Sequence, residues 1–269
     1  MRDTRAAGLQ APSILLAPTL ADKQKTRIQV CGRLAVELGG RELTPRLPGG
    51  QARVLLTYLT VNRARPIRRE ELVEALWPHR PPAGADGALS ALLSRLRSAL
   101  GADVIDGRGE LRLRLPADAW IDLEAAEEAI HRAETAVAQG DWGRGWGPSL
   151  VALFTARRGF LPGEDLPWAD DHRRRLEEIR LAALEAYAAV ALGVGGSELP
   201  PGERVARELV SAAPYNEAGQ ALLMQILAAR GKLAEALRVY EQLRVRLREE
   251  LGATPAPELR ELQERLLRR

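Results

Sequence analysis

Between Ala85 and Gly101 the chain reads ADGALSALLSRLRSALG, with Leu89, Leu92, Leu93, Leu96 and Leu100 at positions i, i+3, i+4, i+7 and i+11. That spacing predicts an α-helix with one apolar face. Asp86 is placed to cap its start, and Gly101 to close its end in a left-handed conformation. Opposite the leucines the helical wheel puts Gly87, Ala91, Ser94 and Ser98, all small, with Arg95 and Arg97 on either side of them. Two arginines at i and i+2 cannot point the same way, but they can straddle a groove. Taken alone, this is an ordinary amphipathic core helix with two solvated arginines. Its neighbours change that reading.

Upstream, RIQVCGRLAVELGGREL from Arg27 alternates with period two, and Gly39-Gly40 marks a hairpin turn. Residues 53–62 predict a first helix carrying Val54, Leu55, Tyr58 and Leu59. Residues 68–78 predict a second, with Leu72, Val73, Leu76 and Trp77 on one face, Glu70 and Glu71 in its first turn, and Pro78 ending it. The loop PHRPPAGAD leads into the leucine helix, and VIDGRGELRLRLP follows it as a second hairpin turning at Gly107 and Gly109. Strands, three helices and a hairpin with Arg108 at its tip make a winged helix-turn-helix. Such a fold lays its third helix in the major groove of DNA and reaches the backbone or the minor groove with the wing.

From residue 116 the pattern is helical to the end. Helices are expected over 122–139, 150–158 and 169–192, with the glycine-rich GDWGRGWGPS (140–149) as a loop and 159–168 as a turn. GVGGSELPPG breaks the long helix, and shorter amphipathic helices joined by Gly or Pro turns follow, in the style of tetratricopeptide hairpins that must stack to bury their apolar faces. The expected organisation is a flexible tail over 1–26, an α+β winged helix over 27–115 and an all-α helical-repeat domain over 116–269.

Charge sharpens this division. Residues 27–115 hold 15 Arg against 9 Asp and Glu, a net +6, whereas residues 116–269 hold 20 Arg and Lys against 25 Asp and Glu, a net −5. A polyanion suits the first part and a protein partner the second. The single Cys31 excludes an intrachain disulfide and reads as a buried apolar residue; His79, His131 and His172 are far apart, so no metal site is expected. No phosphate-binding loop, dinucleotide fingerprint or nucleophile elbow is present, so neither an enzyme nor a cofactor is expected. No apolar run approaches 18 residues and SILLAPTL near the start does not read as an export signal, so a soluble cytoplasmic protein is expected.

REELVEALWP, a proline loop and ALLSRLRSALG together resemble the OmpR-like DNA-binding domain of the Streptomyces antibiotic regulatory protein (SARP) type, SRLR at 94–97 being the most specific fragment. The helical half resembles the bacterial transcriptional activator domain of the same family through residues 163–185, 214–252 and 254–267. The resemblance covers roughly residues 27–269. It implies a transcriptional activator that binds promoter repeats and recruits RNA polymerase, with the helical domain for dimerisation or for an effector or protein partner. It assigns DNA contacts to Ser94, Arg95 and Arg97, and a polymerase contact to the loop His79, Arg80, Pro81, Pro82, Ala83 and Gly84. From the residues themselves, Arg95, Arg97 and Arg108 suit phosphates and Ala91 and Ser94 base edges; Ser98 and Arg112 complete the candidate set. The chain departs from the family at Leu92, at Ser98 where a basic residue is usual, at Gly109-Glu110 in the wing, at Arg68 in place of a Ser or Thr cap, and at the glycine-rich 140–147. Glu110 and Ser98 favour an alternative, a protein-interaction scaffold with a degenerate DNA-binding domain; the +6 charge opposes it.

Overall fold

The computed structural model describes residues 25–268. All but the last two residues of the tail expected over 1–26 lie outside them. Three short strands, β1 (Arg27–Gln29), β2 (Ala35–Leu38) and β3 (Arg41–Glu42), form an antiparallel meander that turns at Gly39 and Gly40. Helix α1 (Gln51–Val61) follows, then β4 (Ile67–Arg68), α2 (Arg69–Leu76), α3 (Ala85–Leu100) and the hairpin β5 (Ile105–Asp106) and β6 (Glu110–Leu113). Strand β4 pairs with β6, so the hairpin is tied to the start of α2. The five leucines of α3 are all buried against α1 and α2, each contributing about 1.5–3 kcal/mol through burial.

Two end signals of α3 differ from expectation. The helix starts at Ala85 with Gly84 as its N-cap residue, so Asp86 lies inside the first turn and caps nothing. It bonds instead to Arg69, 2.7 Å away. Gly101 does close the helix at a positive φ of 110°, but with ψ 145° rather than in the left-handed helical region.

The segment after the wing does not leave the first part at once. β7 (Trp120–Ile121) pairs parallel to β1 and adds a fourth strand to the meander before α4 (Asp122–Ala138) begins. Helices α5 (Trp142–Arg157), α6 (Pro167–Val194), α7 (Leu199–Ala212), α8 (Glu217–Ala229), α9 (Leu233–Leu251) and α10 (Pro257–Leu267) follow, each packed on the one before it.

The loop expected over 140–149 is a correction: α5 runs through it, with Pro148 inside the helix. Asp141 caps its start by accepting the Arg144 amide at 3.1 Å. Gly145 serves packing, while Gly140, at φ +68°, turns the chain between α4 and α5. A Cβ on Gly145 would lie 3.0 Å from Val190 of α6, and a Cβ on Gly193 of α6 would lie 2.3 Å from the Trp142 ring. Close helix contact outweighs the low helix propensity of Gly and Pro. The break after α6 is also shorter than expected, because Pro200 and Pro201 sit in the first turn of α7, where no amide partner is needed.

The apolar core is continuous from the meander through α1–α3 into α4–α7, and a second cluster fills α7–α10. Asp122, fully buried, joins the two parts. Its carboxylate accepts the amides of Val30 (2.8 Å) and Cys31 (3.2 Å) and pairs with Arg158 at 2.9 Å. Cys31 is buried as expected, and burial, reinforced by the Asp122 charge, raises its thiol pKa strongly. Trp168 of α6 packs edge-on against Tyr58 of α1 at 4.8 Å and donates its indole N–H to the Ala75 carbonyl at 3.0 Å, near the end of α2. Farther along, the buried Glu203 carboxylate of α7 accepts from Lys232 (3.1 Å) and Arg207 (3.0 Å) and meets Arg230. Burial alone would raise its pKa; these cations more than offset that and lower it.

Candidate nucleic-acid interface

With its leucines committed to the core, α3 presents Gly87, Ser90, Ala91, Ser94, Arg95 and Ser98 to solvent. The expected small face therefore exists, and nothing on it projects far except Arg95. That guanidinium makes only a long bond, 3.4 Å, to the Ala91 carbonyl of its own helix. At the wing tip Arg108 is exposed, and its guanidinium has no hydrogen bond or ion pair among the described residues.

The other two candidate arginines are occupied. Arg97 donates from Nε to the Ile105 carbonyl at 3.0 Å and from Nη2 to the Gly107 carbonyl at 2.7 Å. It fastens the last turn of α3 to the hairpin turn. Arg112 donates to the Ala64 carbonyl at 3.0 Å, across the base of the wing. Both were expected at DNA; the structure gives each a bracing position, because the wing's turn carbonyls and the α1–β4 connection lie within reach of long side chains on one side of the frame.

A residue with no sequence signal completes the brace. Arg69, at the first position of α2, bonds Asp86 Oδ1 (2.7 Å), the Asp86 carbonyl (3.2 Å) and Ser90 Oγ (2.8 Å) on α3, and reaches the Arg108 carbonyl at 3.4 Å. Its own amide donates to the Gly109 carbonyl at 3.3 Å. Arg69 and Arg97 thus clamp the wing to α3 at two levels. The turn itself depends on Gly107, at φ +92°, where a Cβ would lie 1.8 Å from the Glu110 carbonyl oxygen. The Arg114 guanidinium and the Gly107 amide hold the Asp106 carboxyl below the usual carboxylate range.

Helix α2 is fixed from behind. Tyr58 donates to Glu71 at 2.6 Å, and Arg65 pairs with the same carboxylate. The bond from Arg65, aided by that from Tyr58, holds the Glu71 carboxyl below its usual value, while burial and the Glu71 bond push the Tyr58 hydroxyl up to about 12. The loop from α2 to α3 leaves this frame, and His79, Arg80, Pro81, Pro82, Ala83 and Gly84 are all exposed.

A braced wing beside an exposed third helix, joined to a stack of helical hairpins, defines a winged-helix protein with a helical-repeat module. The comparisons with known proteins agree. Residues 48–109 match the family described as "Transcriptional regulatory protein, C terminal", and residues 121–267 match "Bacterial transcriptional activator domain". The chain belongs to this family, the SARP-type transcriptional regulators. It is 37% identical over 265 residues to Regulatory protein AfsR of Streptomyces griseus, covering 96% of this chain and 26% of that one. It is 29% identical over 245 residues to Transcriptional regulatory protein EmbR of Mycobacterium tuberculosis strain H37Rv, covering 88% of this chain and 62% of that one. A solved structure of Mycobacterium tuberculosis EmbR in complex with a low-affinity phosphopeptide superposes with a TM-score of 0.72 at 26% identity, over 91% of this chain and 65% of that one. The chain thus spans about a quarter of the Streptomyces relative and about three fifths of the mycobacterial one. Among the described residues no helix is long and apolar enough to cross a membrane.

Proposed function

We propose that this chain binds promoter DNA as a transcriptional activator, with residues 27–115 as the reading module and 116–269 as the module for a second copy, an effector or a protein partner. The observation that carries the reading is the small exposed face of α3, flanked on a braced frame by the guanidinium of Arg95, held only by a long bond to its own helix, and by that of Arg108. In this reading α3 enters the major groove with Ala91 and Ser94 at base edges, where a methyl–methyl contact with thymine and a hydroxyl bond are available. Arg95 and Arg108 take phosphates on either side, the second beside the adjacent minor groove. Ser98 lies farther along the same face. Arg97 and Arg112 set the position of the wing rather than touch DNA. No cofactor is needed, no chemistry is performed, and the site of action is the cytoplasm.

The loop His79–Gly84 is exposed along its whole length and suits contact with RNA polymerase bound beside the operator. Replacing Arg80 with Ala is expected to lower transcription in a purified system while DNA retention stays unchanged; an equal loss of both would remove the polymerase role. The reading as a whole is tested by selecting from random duplex DNA at low and physiological salt. Enrichment of a short repeated motif at physiological salt supports it. Retention at low salt without enrichment, the signature of phosphate contacts alone, would instead favour the interaction scaffold.

A further inference from the structure

A cavity of about 730 Å³ opens between the meander, the last turn of α3 and the segment leaving the wing. Three arginines line it: Arg41 on β3, Arg46 at the end of a 3-10 turn over Thr44–Arg46, and Arg114 just past β6. Among the described residues no acidic side chain lines it. Strand alternation accounts for this. Leu38 stands opposite Arg41 in the β2–β3 register, and both line the cavity. Glu37 and Glu42, the neighbouring pair, therefore fall on the other face of the sheet.

Arg41 and Arg46 are exposed, and their guanidiniums have no hydrogen bond or ion pair among the described residues. Arg114 pairs with Asp106 at 2.9 Å, but both side chains are at least half exposed, so the pair is weak and readily exchanged. A solvated arginine on a surface is ordinary. These three share their cavity with an apolar wall: Leu43 and Leu100 are buried, and Leu38, Val104 and Leu115 are half-buried. Sites for small molecules combine such walls with a few polar groups, at volumes of about 300–1,000 Å³. A duplex backbone offers phosphate and sugar, and nothing apolar for the leucines. Ser98, Ala99 and Leu100 line the cavity too, and their carbonyls, at the end of α3, accept no hydrogen bond among the described residues. This negative end of the helix opposes a bare anion and favours one that also carries a donor.

We infer that this cavity binds a small organic anion with an apolar body and an O–H or N–H donor. Its carboxylate, sulfonate or phosphate lies on Arg41 and Arg46, with Arg114 exchanging from Asp106. Its apolar body lies on the leucines, and its donor meets the end of α3. The planar guanidinium fork suits a bidentate grip on such an acid group. A ligand there ties the meander to α3 and to the wing hairpin, which makes this an effector site in the first module, apart from the helical one. The site does not depend on what that module reads.

The test therefore omits DNA. The probe is anilinonaphthalene sulfonate, which combines an acid group, an aromatic body and an N–H. The full chain is titrated with it by fluorescence, beside the uncharged analogue phenylnaphthylamine. The parent is expected to bind the anion at about one site per chain, and Arg41→Ala/Arg46→Ala to bind it about tenfold more weakly. The uncharged analogue should not distinguish the two. Ala99→Trp, at a half-exposed lining position, should block the anion with all three arginines in place. Arg144→Ala, on α5, should bind like the parent. Unchanged thermal melts establish that the variants fold; should Ala99→Trp not fold, the arginine variant decides. With the anion bound, hydrogen exchange should slow at residues 38–46 and 98–106. Anion binding as tight in the arginine variant as in the parent overturns the inference, as does protection confined to another part of the chain. Equal loss of the charged and uncharged probes overturns it too, because the arginines would then act through packing alone. If the arginine variant keeps the anion and instead lowers the salt slope of DNA binding by about two, these arginines belong to backbone phosphates and the inference fails.

Discussion

Arg95 and Arg97 stand two residues apart on one helix, yet the structure gives them different work, and salt dependence separates the two. Each phosphate contact contributes about 0.9 to the slope of log K against log salt. Arg95→Ala removes an exposed cation held only by a long bond to its own helix, so the slope should fall by about 0.9. Between 50 and 200 mM salt, a fourfold change, the parent-to-variant affinity ratio should then shrink by about 3.5-fold. Arg97→Ala removes two bonds, at 3.0 and 2.7 Å, to the wing carbonyls of Ile105 and Gly107. Charged hydrogen bonds contribute about 1.5–3 kcal/mol each when buried, and less at a partly exposed site such as this, so the wing should loosen by about 1–3 kcal/mol in all. Affinity should drop at every salt concentration by a nearly constant factor. Hydrogen exchange at the amides of residues 105–113 should speed up in Arg97→Ala and stay unchanged in Arg95→Ala. A slope reduced by a full unit in Arg97→Ala, with wing exchange untouched, would refute the bracing role and return Arg97 to the phosphates.

Three further expectations concern the frame. Trp168→Phe keeps most of the apolar contact but removes the bond to the Ala75 carbonyl, and should lower stability by about 1–2 kcal/mol in denaturant titration; no change would mean that the bond does not hold α2. Gly193→Ala should destabilise by about 1–3 kcal/mol, although alanine is the better helix former, because its Cβ would lie 2.3 Å from the Trp142 ring; a raised melting temperature would refute the packing account of α5. The folded-state pKa of Glu71 is lowered, chiefly by Arg65, so its contribution is complete above the unfolded carboxylate range and is lost as pH falls through the folded value. Stability measured downward from pH 7 should therefore decline less steeply below that range in Glu71→Gln than in the parent, and identical profiles would remove the Glu71 network from the account.

What the sequence makes legible follows from local chemistry. The leucine spacing of α3, the Gly39-Gly40 turn and the alternation around Gly107 each constrain the backbone within a few residues, and the structure places all three as read. Helix α5 was not legible, because its glycines and Pro148 weigh locally against a helix, while the value of Gly145 lies in its contact with Val190 of α6. The same holds for function. A wheel shows which way Arg97 points, but not that the wing's carbonyls stand there to receive it. Arg69 opens its helix as one more surface cation, and only the β4–β6 pairing brings the wing to it. Asp122 reads as an ordinary first-turn acid; its burial comes from a loop 91 residues away in sequence.

These bracing contacts also bear on the weak reading face. With Arg97, Arg69 and Arg112 committed internally, α3 carries few groups able to distinguish bases, and Ala91 and Ser94 discriminate little by themselves. A rigid reader is better suited to sensing groove width and bendability, since a loose wing would follow any duplex at similar strain. The clamp at Arg69 and Arg97, backed by Trp168 at the end of α2 and by Asp122 under β1, joins the exposed α3 surface, the wing and the helical stack in one frame. In the proposed reading, specificity rests on the spacing at which rigid copies fit along the duplex, more than on any one side chain. Operators whose half-sites are moved apart by a few base pairs should therefore lose more affinity than operators with a single altered base at the α3 contact. The reverse order in a binding series would place specificity in the bases and leave the bracing without that purpose.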